Sequence, residues 1–167
     1  FEFLSQFNTI LFEGAQGFEI DIDYGDYPFV TSSNCTVGGI FLNGAKVSVK
    51  PFVIGVAKIY ETYVGAKEFS LDDRDLEKLQ EMGEEYGATT GRKRQVNWLN
   101  LDRLIFSSRV NQTDVIIFNK CDILEKVGVF KLVSGGEISS FNTIDEMKDF
   151  IRGIFPRCIF SGNRDGI

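Results

Sequence analysis

The sequence contains no histidine, so any step that needs an imidazole acid, base or metal ligand must draw it from outside these residues. Cysteine is sparse: Cys35, Cys121 and Cys158 form an odd set with no C-x-x-C pair, which fits reduced thiols in a cytoplasmic protein. In that compartment the N-x-T triplets at Asn34 and Asn111 are chance matches. No apolar run reaches the ~18 residues that a membrane-spanning helix needs. Phe1-Glu2-Phe3-Leu4 shows no basic stretch ahead of an apolar one, so neither a membrane anchor nor a secretory leader is expected. Positive charge is also short, with 18 Lys and Arg against 24 Asp and Glu, a net charge of −6. That balance argues against a general nucleic-acid surface. No initiator Met opens the chain, so residue 1 is read as internal to a longer protein.

What is present is enough for a core. With 167 residues and 43% hydrophobic content, the chain reads as one domain over residues 1–167, without repeats, low-complexity tracts or a linker. Runs rich in Ile, Val and Phe predict strands at 9–12, 51–60, 114–118 and 157–160. The nearly all-apolar run after Asp114 predicts a strand buried on both faces. Charged, periodic residues predict a helix over 72–82, capped by Ser70 or Asp72. A second helix is expected over 101–110, capped by Asn100. A third should open on the capping box Thr143-Ile-Asp-Glu146 and stop at Gly153. Helices alternating with apolar strands imply an α/β fold with a mainly parallel sheet and flanking helices. Ligands in such folds bind at the carboxyl ends of the strands.

Several segments there carry chemistry. Asn119-Lys120-Cys121-Asp122 ends a strand in the N-K-x-D pattern that reads guanine. A carboxylate accepts from both the N1–H and the 2-amino group of guanine, and adenine offers no matching pair of donors. The lysine stem can lie over the base with its ammonium in water. An ordinary strand-end loop with a helix cap is the bland alternative. Ser161-Gly162, after another strand, offers backbone N–H groups to a 6-oxo oxygen, or is a plain turn. In Gly87-Ala-Thr-Thr-Gly-Arg-Lys-Arg94, glycines allow close approach, Thr89 and Thr90 donate, and Arg92 and Arg94 can grip a dicarboxylate. The alternative is a solvated basic turn after a helix. Glu13-Gly-Ala-Gln-Gly17 is a glycine-rich turn without the Lys-Ser/Thr of a P-loop. Thr31-Ser-Ser-Asn34 suits a phosphate, a ribose or a capped loop.

Taken in order, these pieces resemble one family, adenylosuccinate synthetase. The resemblance rests on Phe12-Glu-Gly-Ala-Gln-Gly17, Asp21-Ile-Asp23, Tyr27-Pro-Phe-Val-Thr-Ser-Ser-Asn34, Val64-Gly65, the Gly87–Arg94 loop, Trp98-Leu99 and Lys120-x-Asp122. It is dense over residues 9–124 and looser in the tail. It implies a P-loop-NTPase-related fold, of which this chain is the C-terminal portion. It also implies GTP-dependent joining of L-aspartate to IMP through a 6-phosphoryl intermediate. By position, Gln16, Thr31, Val64 and Arg92 should contact IMP. Thr89, Thr90, Arg92 and Arg94 should hold aspartate, and Lys120, Asp122, Ser161 and Gly162 should hold GTP. The family's phosphate loop, catalytic Asp and His, and Mg2+ ligands belong to the N-terminal portion, so no catalytic residue and no metal ligand is expected in this chain. Members are homodimers that complete each site with a neighbour's arginine.

Departures from the family pattern are equally visible. Ala66-Lys-Glu-Phe-Ser70 replaces a proline-rich stretch, the tail shortens to Ser161-Gly-Asn-Arg164, and the chain between Asp122 and Ser161 is compact. That compactness resembles the archaeal and viral branch, whose viral members include 2-aminoadenylosuccinate synthetases acting on dGMP. A non-catalytic GTP-binding remnant is a further alternative. A P-loop GTPase fragment has no place for Gly-Ala-Thr-Thr-Gly-Arg.

Overall fold

The computed structural model describes residues 3, 6–42, 44, 50–87 and 91–162. Its centre is the apolar run Val115–Asn119 (β4), which pairs in parallel with Ile54–Lys58 (β1) on one side and Cys158–Phe160 (β7) on the other. A second sheet is built from Tyr60–Tyr63 (β2), Gln95–Asn100 (β3), Phe130–Ser134 (β5) and Glu137–Phe141 (β6), in the order β2-β3-β5-β6. There β3 and β5 run parallel, whereas the outer pairs are antiparallel. The single strand expected over 51–60 is divided at the buried Ile59, so one nearly continuous segment passes from the first sheet into the second.

The helices are Gly38–Leu42 (α1), Arg74–Met82 (α2), Leu101–Asn111 (α3), Cys121–Val127 (α4) and Ile144–Ile154 (α5). The cap of α2 is Asp73 instead of Ser70 or Asp72: its carboxylate accepts from Asp75 N and from Trp98 Nε1. Asn100 caps α3 as expected, accepting from Arg103 N. Thr143 caps α5 by accepting from Glu146 N, while the Glu146 carboxylate accepts from Asn142 N, one residue earlier than a standard capping box. Gly153 does not stop α5, which runs one residue further to Ile154, with Phe155 as its C-cap.

Packing explains the other differences. The expected strand at 9–12 does not form: it has no partner among the described residues, and Leu11 is 86% exposed. The elements β3, α4, β5 and β6 were not predicted, because their apolar positions are short and mixed with Asn, Lys and Ser. The β5–β6 hairpin turns on Gly135 and Gly136, both at positive φ, and Asp102 of α3 accepts from both of their N–H groups at 3.0 Å.

The expectation that β4 is buried on both faces is also corrected. Ile116 and Phe118 are buried in a core with Trp98, Leu101, Leu124, Leu132, Met147 and Ile151. On the outer face of this sheet, Val56 is 67% exposed, with Ile54 and Ile159 also exposed. A parallel sheet is ordinarily covered on both sides, and among the described residues only one face of this sheet is covered. Phe118→Ala should therefore lower the unfolding free energy by about 3–5 kcal/mol, and Val56→Ser should change it by less than about 0.5 kcal/mol. Urea titrations of the two variants check this, and a large loss for Val56→Ser would show that the outer face is covered in solution.

Candidate functional site

Register brings the site together. Lys58 pairs with Asn119, and Phe118 pairs with Phe160, so three strands end level with one another. Just beyond these ends, Lys120 takes a left-handed backbone conformation, φ 65°, before α4 begins. Its carbonyl accepts from Ile123 N and Leu124 N, and this places Asp122 in the first turn of the helix. Ser161 N donates to Phe118 O, and Cys121 N donates to Ser161 O. Gly162 lies in van der Waals range of the Asp122 side chain, with a Cβ position 3.5 Å from the carboxyl carbon. Lys120, Asp122, Ser161 and Gly162 thus lie together at the carboxyl ends of β4 and β7.

The basic loop approaches the same edge. Tyr86 and Lys93 bridge its base, Gly87 N donates to Arg92 O, and Gly91 turns at φ 63°. Arg94 Nε donates to Tyr86 O, and Arg94 N donates to Glu85 O. Thr89 and Thr90 lie outside the described residues, so their expected contact with a dicarboxylate is neither placed nor displaced. Arg92 is exposed at the loop's end.

Joining loop and strand ends is Glu85, which the sequence reading missed. It is only 3% exposed. One carboxylate oxygen accepts from Lys58 Nζ and the other from Tyr60 OH, each at 2.7 Å. Lys120 Nζ lies 3.7 Å and Arg94 Nε 3.8 Å from the same carboxylate. Burial works against the charge, yet the hydrogen bonds from Lys58 and Tyr60 and the nearby ammonium groups hold the Glu85 carboxyl below its usual range. Burial likewise pulls the Lys58 ammonium down, with Glu85 opposing it. Gly83 makes room for this cluster: a Cβ there would meet the Tyr60 hydroxyl at 2.7 Å, and its carbonyl accepts from Lys120 Nζ. Nothing in the pair Glu84-Glu85 marks which member is buried, so no local signal could have found it.

A second loop gathers the remaining candidates. Asp21 is fully buried and accepts from Asp23 N, Tyr24 N and Cys35 N. Those bonds hold its carboxyl below the ordinary value against the opposing effect of burial. Thr31 N donates to Ile20 O, and Asn34 donates to the Asp23 carboxylate. The Cys35 thiol sits 3.6 Å from Gln16 Oε1, and Gln16 itself is held at φ 66°. Gln16 and the Thr31–Asn34 stretch therefore belong to one stitched loop. Val64, exposed after β2, is tied to that loop through the neighbouring Lys67–Asp26 ion pair. Gln95 secures the turn by donating to the carbonyls of Gly65 and Lys67 and accepting from Phe69 N.

Beside this turn, Glu61 accepts from Asn100 N at 3.1 Å, and burial, reinforced by Glu19, pushes its carboxyl up to about 7. An acid whose folded value exceeds its unfolded one stabilises the fold below about pH 4.5, and that contribution is lost as pH rises through about 7. Stability should accordingly fall between about pH 4.5 and 7, by at most about 3 kcal/mol from this group. Thermal melts across that range check the sign. Glu61→Gln should flatten the profile, and an unchanged slope would assign it to other groups.

Comparison with known proteins bears on the family. A family model for adenylosuccinate synthetase matches residues 2–148. Among curated relatives, adenylosuccinate synthetase of Anaeromyxobacter sp. (strain K) is 40% identical over 147 residues, 86% of this chain and 34% of that protein. The Caenorhabditis elegans adenylosuccinate synthetase is 44% identical over 133 residues, 78% of this chain and 29% of its own length. The chain thus spans about a third of the length of the curated relatives it matches. A fully ligated Plasmodium falciparum adenylosuccinate synthetase superposes with a TM-score of 0.78 at 29% identity, covering 88% of this chain and 46% of that one. A cyanophage S-2L succinoaminodeoxyadenylate synthetase, bound to dGMP and dATP, shares the fold alone, with a TM-score of 0.58 at 17% identity over 88% of this chain and 41% of that one. The match over most of its length, at this identity, makes the chain a member of the adenylosuccinate synthetase family.

Proposed function

We propose that this chain supplies the nucleotide-acceptor, aspartate and guanine contacts of an adenylosuccinate synthetase. The protein of which it forms part would couple L-aspartate to IMP at the expense of GTP, a ligase reaction that forms a C–N bond in purine biosynthesis. The observation that carries the reading is the convergence of Lys120, Asp122, Ser161 and Gly162 beside the Arg92–Arg94 end of the basic loop. Asp122 would accept from the guanine N1–H and 2-amino group, and the Ser161-Gly162 backbone would meet the 6-oxo oxygen. Arg92 and Arg94, with Thr89 and Thr90, would hold the dicarboxylate. Gln16, Thr31 and Val64 would line the acceptor nucleotide. The reaction would phosphorylate the 6-oxygen of IMP, and the aspartate amine would then displace phosphate.

Among the described residues no group of three His, Cys, Asp or Glu side chains is placed to hold a metal ion. The Mg2+ that the reaction would use would take its protein ligands from the phosphate-loop portion outside this chain. No helix among them is long and apolar enough to cross a membrane. Cytoplasmic residence and a homodimer for the whole protein belong to the same proposal, as does the placing of a phosphate-loop portion outside this chain. IMP is preferred to dGMP as acceptor because relatives at 40–44% identity are adenylosuccinate synthetases. The dGMP-bound phage structure shares only the fold.

Saturation-transfer NMR with GDP and ADP in competition tests the reading on this chain. Transfer from the protein to guanine protons alone is expected. Stronger transfer to ADP, or none to either nucleotide with the chain folded, would overturn the guanine assignment for it. Asp122→Asn should weaken GDP binding about 5- to 100-fold, the worth of an acceptor left unmatched, with little change in melting temperature. Parallel losses of affinity and melting temperature would make Asp122 structural.

A further inference from the structure

We infer that Glu85 is the positioning residue that holds the guanine lysine Lys120 and the dicarboxylate arginine Arg94 in one arrangement. The inference rests on the functional reading above and extends it to a residue that reading does not use. The two cations come from different parts of the chain, one at the end of β4 and the other on the basic loop. Within 4 Å of both lies one buried carboxylate, already bonded to Lys58 and Tyr60. Lys58, Lys120 and Arg94 outnumber Glu85 and the nearby Asp122 there, so the cluster keeps a small excess of positive charge beside the proposed ligand edge.

Its geometry is held from behind. Gln80 of α2 is buried and donates to Glu85 O at 3.0 Å, and Glu85 N donates to Gln80 O. The backbone of Glu85 is therefore locked to the end of α2, and its carboxylate has little freedom to follow a moving partner. Lys120 Nζ is steered from two sides, by Glu85 and by the Gly83 carbonyl, both on the segment that follows α2. With the carboxylate charge removed, Lys58, Lys120 and Arg94 would repel one another across the pocket. Each keeps one other bond, Lys58 to Thr62 Oγ1, Lys120 to the Gly83 carbonyl and Arg94 to the Tyr86 carbonyl, but the anion that draws the three together is gone.

Glu85→Gln removes the charge while keeping one acceptor oxygen for Lys58 and an NH2 group that can donate to the Tyr60 hydroxyl oxygen. It should weaken GDP binding about tenfold by displacing Lys120, in the range of a lost charge-assisted contact. Acting through Lys120, it should add nothing to the loss already present in Lys120→Met, so the double variant should bind GDP like Lys120→Met alone. A merely structural role would instead multiply the two losses and track the melting temperature. A readout on the unmodified chain guards against a variant that does not fold. In 13C-glutamate-labelled protein, the Glu85 carboxyl signal should move on addition of GDP, and separately on addition of L-aspartate. GDP affinity unchanged in Glu85→Gln, multiplicative losses in the double variant, or a Glu85 signal unmoved by GDP would each overturn the inference. Guanine preference in the unmodified chain is measured first. If it is absent, the guanine-site reading itself has failed, and if it is present, the Glu85 results bear on the positioning role alone.

Discussion

Hydrogen bonds along β4 hold β1 on one side and β7 on the other, and the register of those bonds decides where the chemistry sits. Pairing Lys58 with Asn119 and Phe118 with Phe160 makes three strands end at one level. A shift of one residue in either ladder would send each side chain to the opposite face and would part Ser161 from Cys121. The stacked rings of Phe118 and Phe160, 5.2 Å apart, and the packing of Phe118 into the core oppose such a shift. The polar edge therefore depends on apolar contacts a few residues behind it.

Charge at that edge is organised by burial. Taking a carboxylate out of water costs several kcal/mol unless partners compensate, and Glu85 finds them in Lys58 and Tyr60 at hydrogen-bond distance. The nearest partners neutralise it, and the more distant Lys120 and Arg94 remain in surplus. A chain of net charge −6 thus keeps a local positive centre where a phosphate-bearing or dicarboxylate ligand would approach. On the other loop, Asp21 uses the opposite device. It has no cationic partner in its hydrogen bonds and is satisfied by backbone N–H groups, so it fixes the Gly17–Cys35 segment without adding a charge pair.

Much of this was legible in the residues. The β4 run, the Asn100 and Thr143 caps and the strand-end placement of Lys120-x-Asp122 all followed from local pattern, since each is decided by neighbours in sequence. What escaped was decided by distance. The split at Ile59 arises because Tyr60 pairs with Trp98, thirty-eight positions away. The α2 cap falls on Asp73 because that carboxylate also accepts from Trp98 Nε1 and pairs with Lys131. The burial of Glu85 needs Lys58, Tyr60 and Gln80 in place before the residue is distinguishable from Glu84.

The first sheet has the composition of a buried one, while among the described residues one of its faces is open. Sequence records the environment for which a strand is suited, and Val115-Ile-Ile-Phe118 suits two apolar neighbours. Geometry records what this chain brings to it, which is a core on the Phe118 side and solvent around Val56 and Ile54. The disagreement is confined to the face and does not reach the strand ends. There the bonds to Cys121, Ser161 and Lys120 among the described residues come from partners on β4, α4 and the segment after α2. The ligand-facing edge is thus specified by the covered side of the sheet, so its geometry can persist whether or not the outer face is later covered.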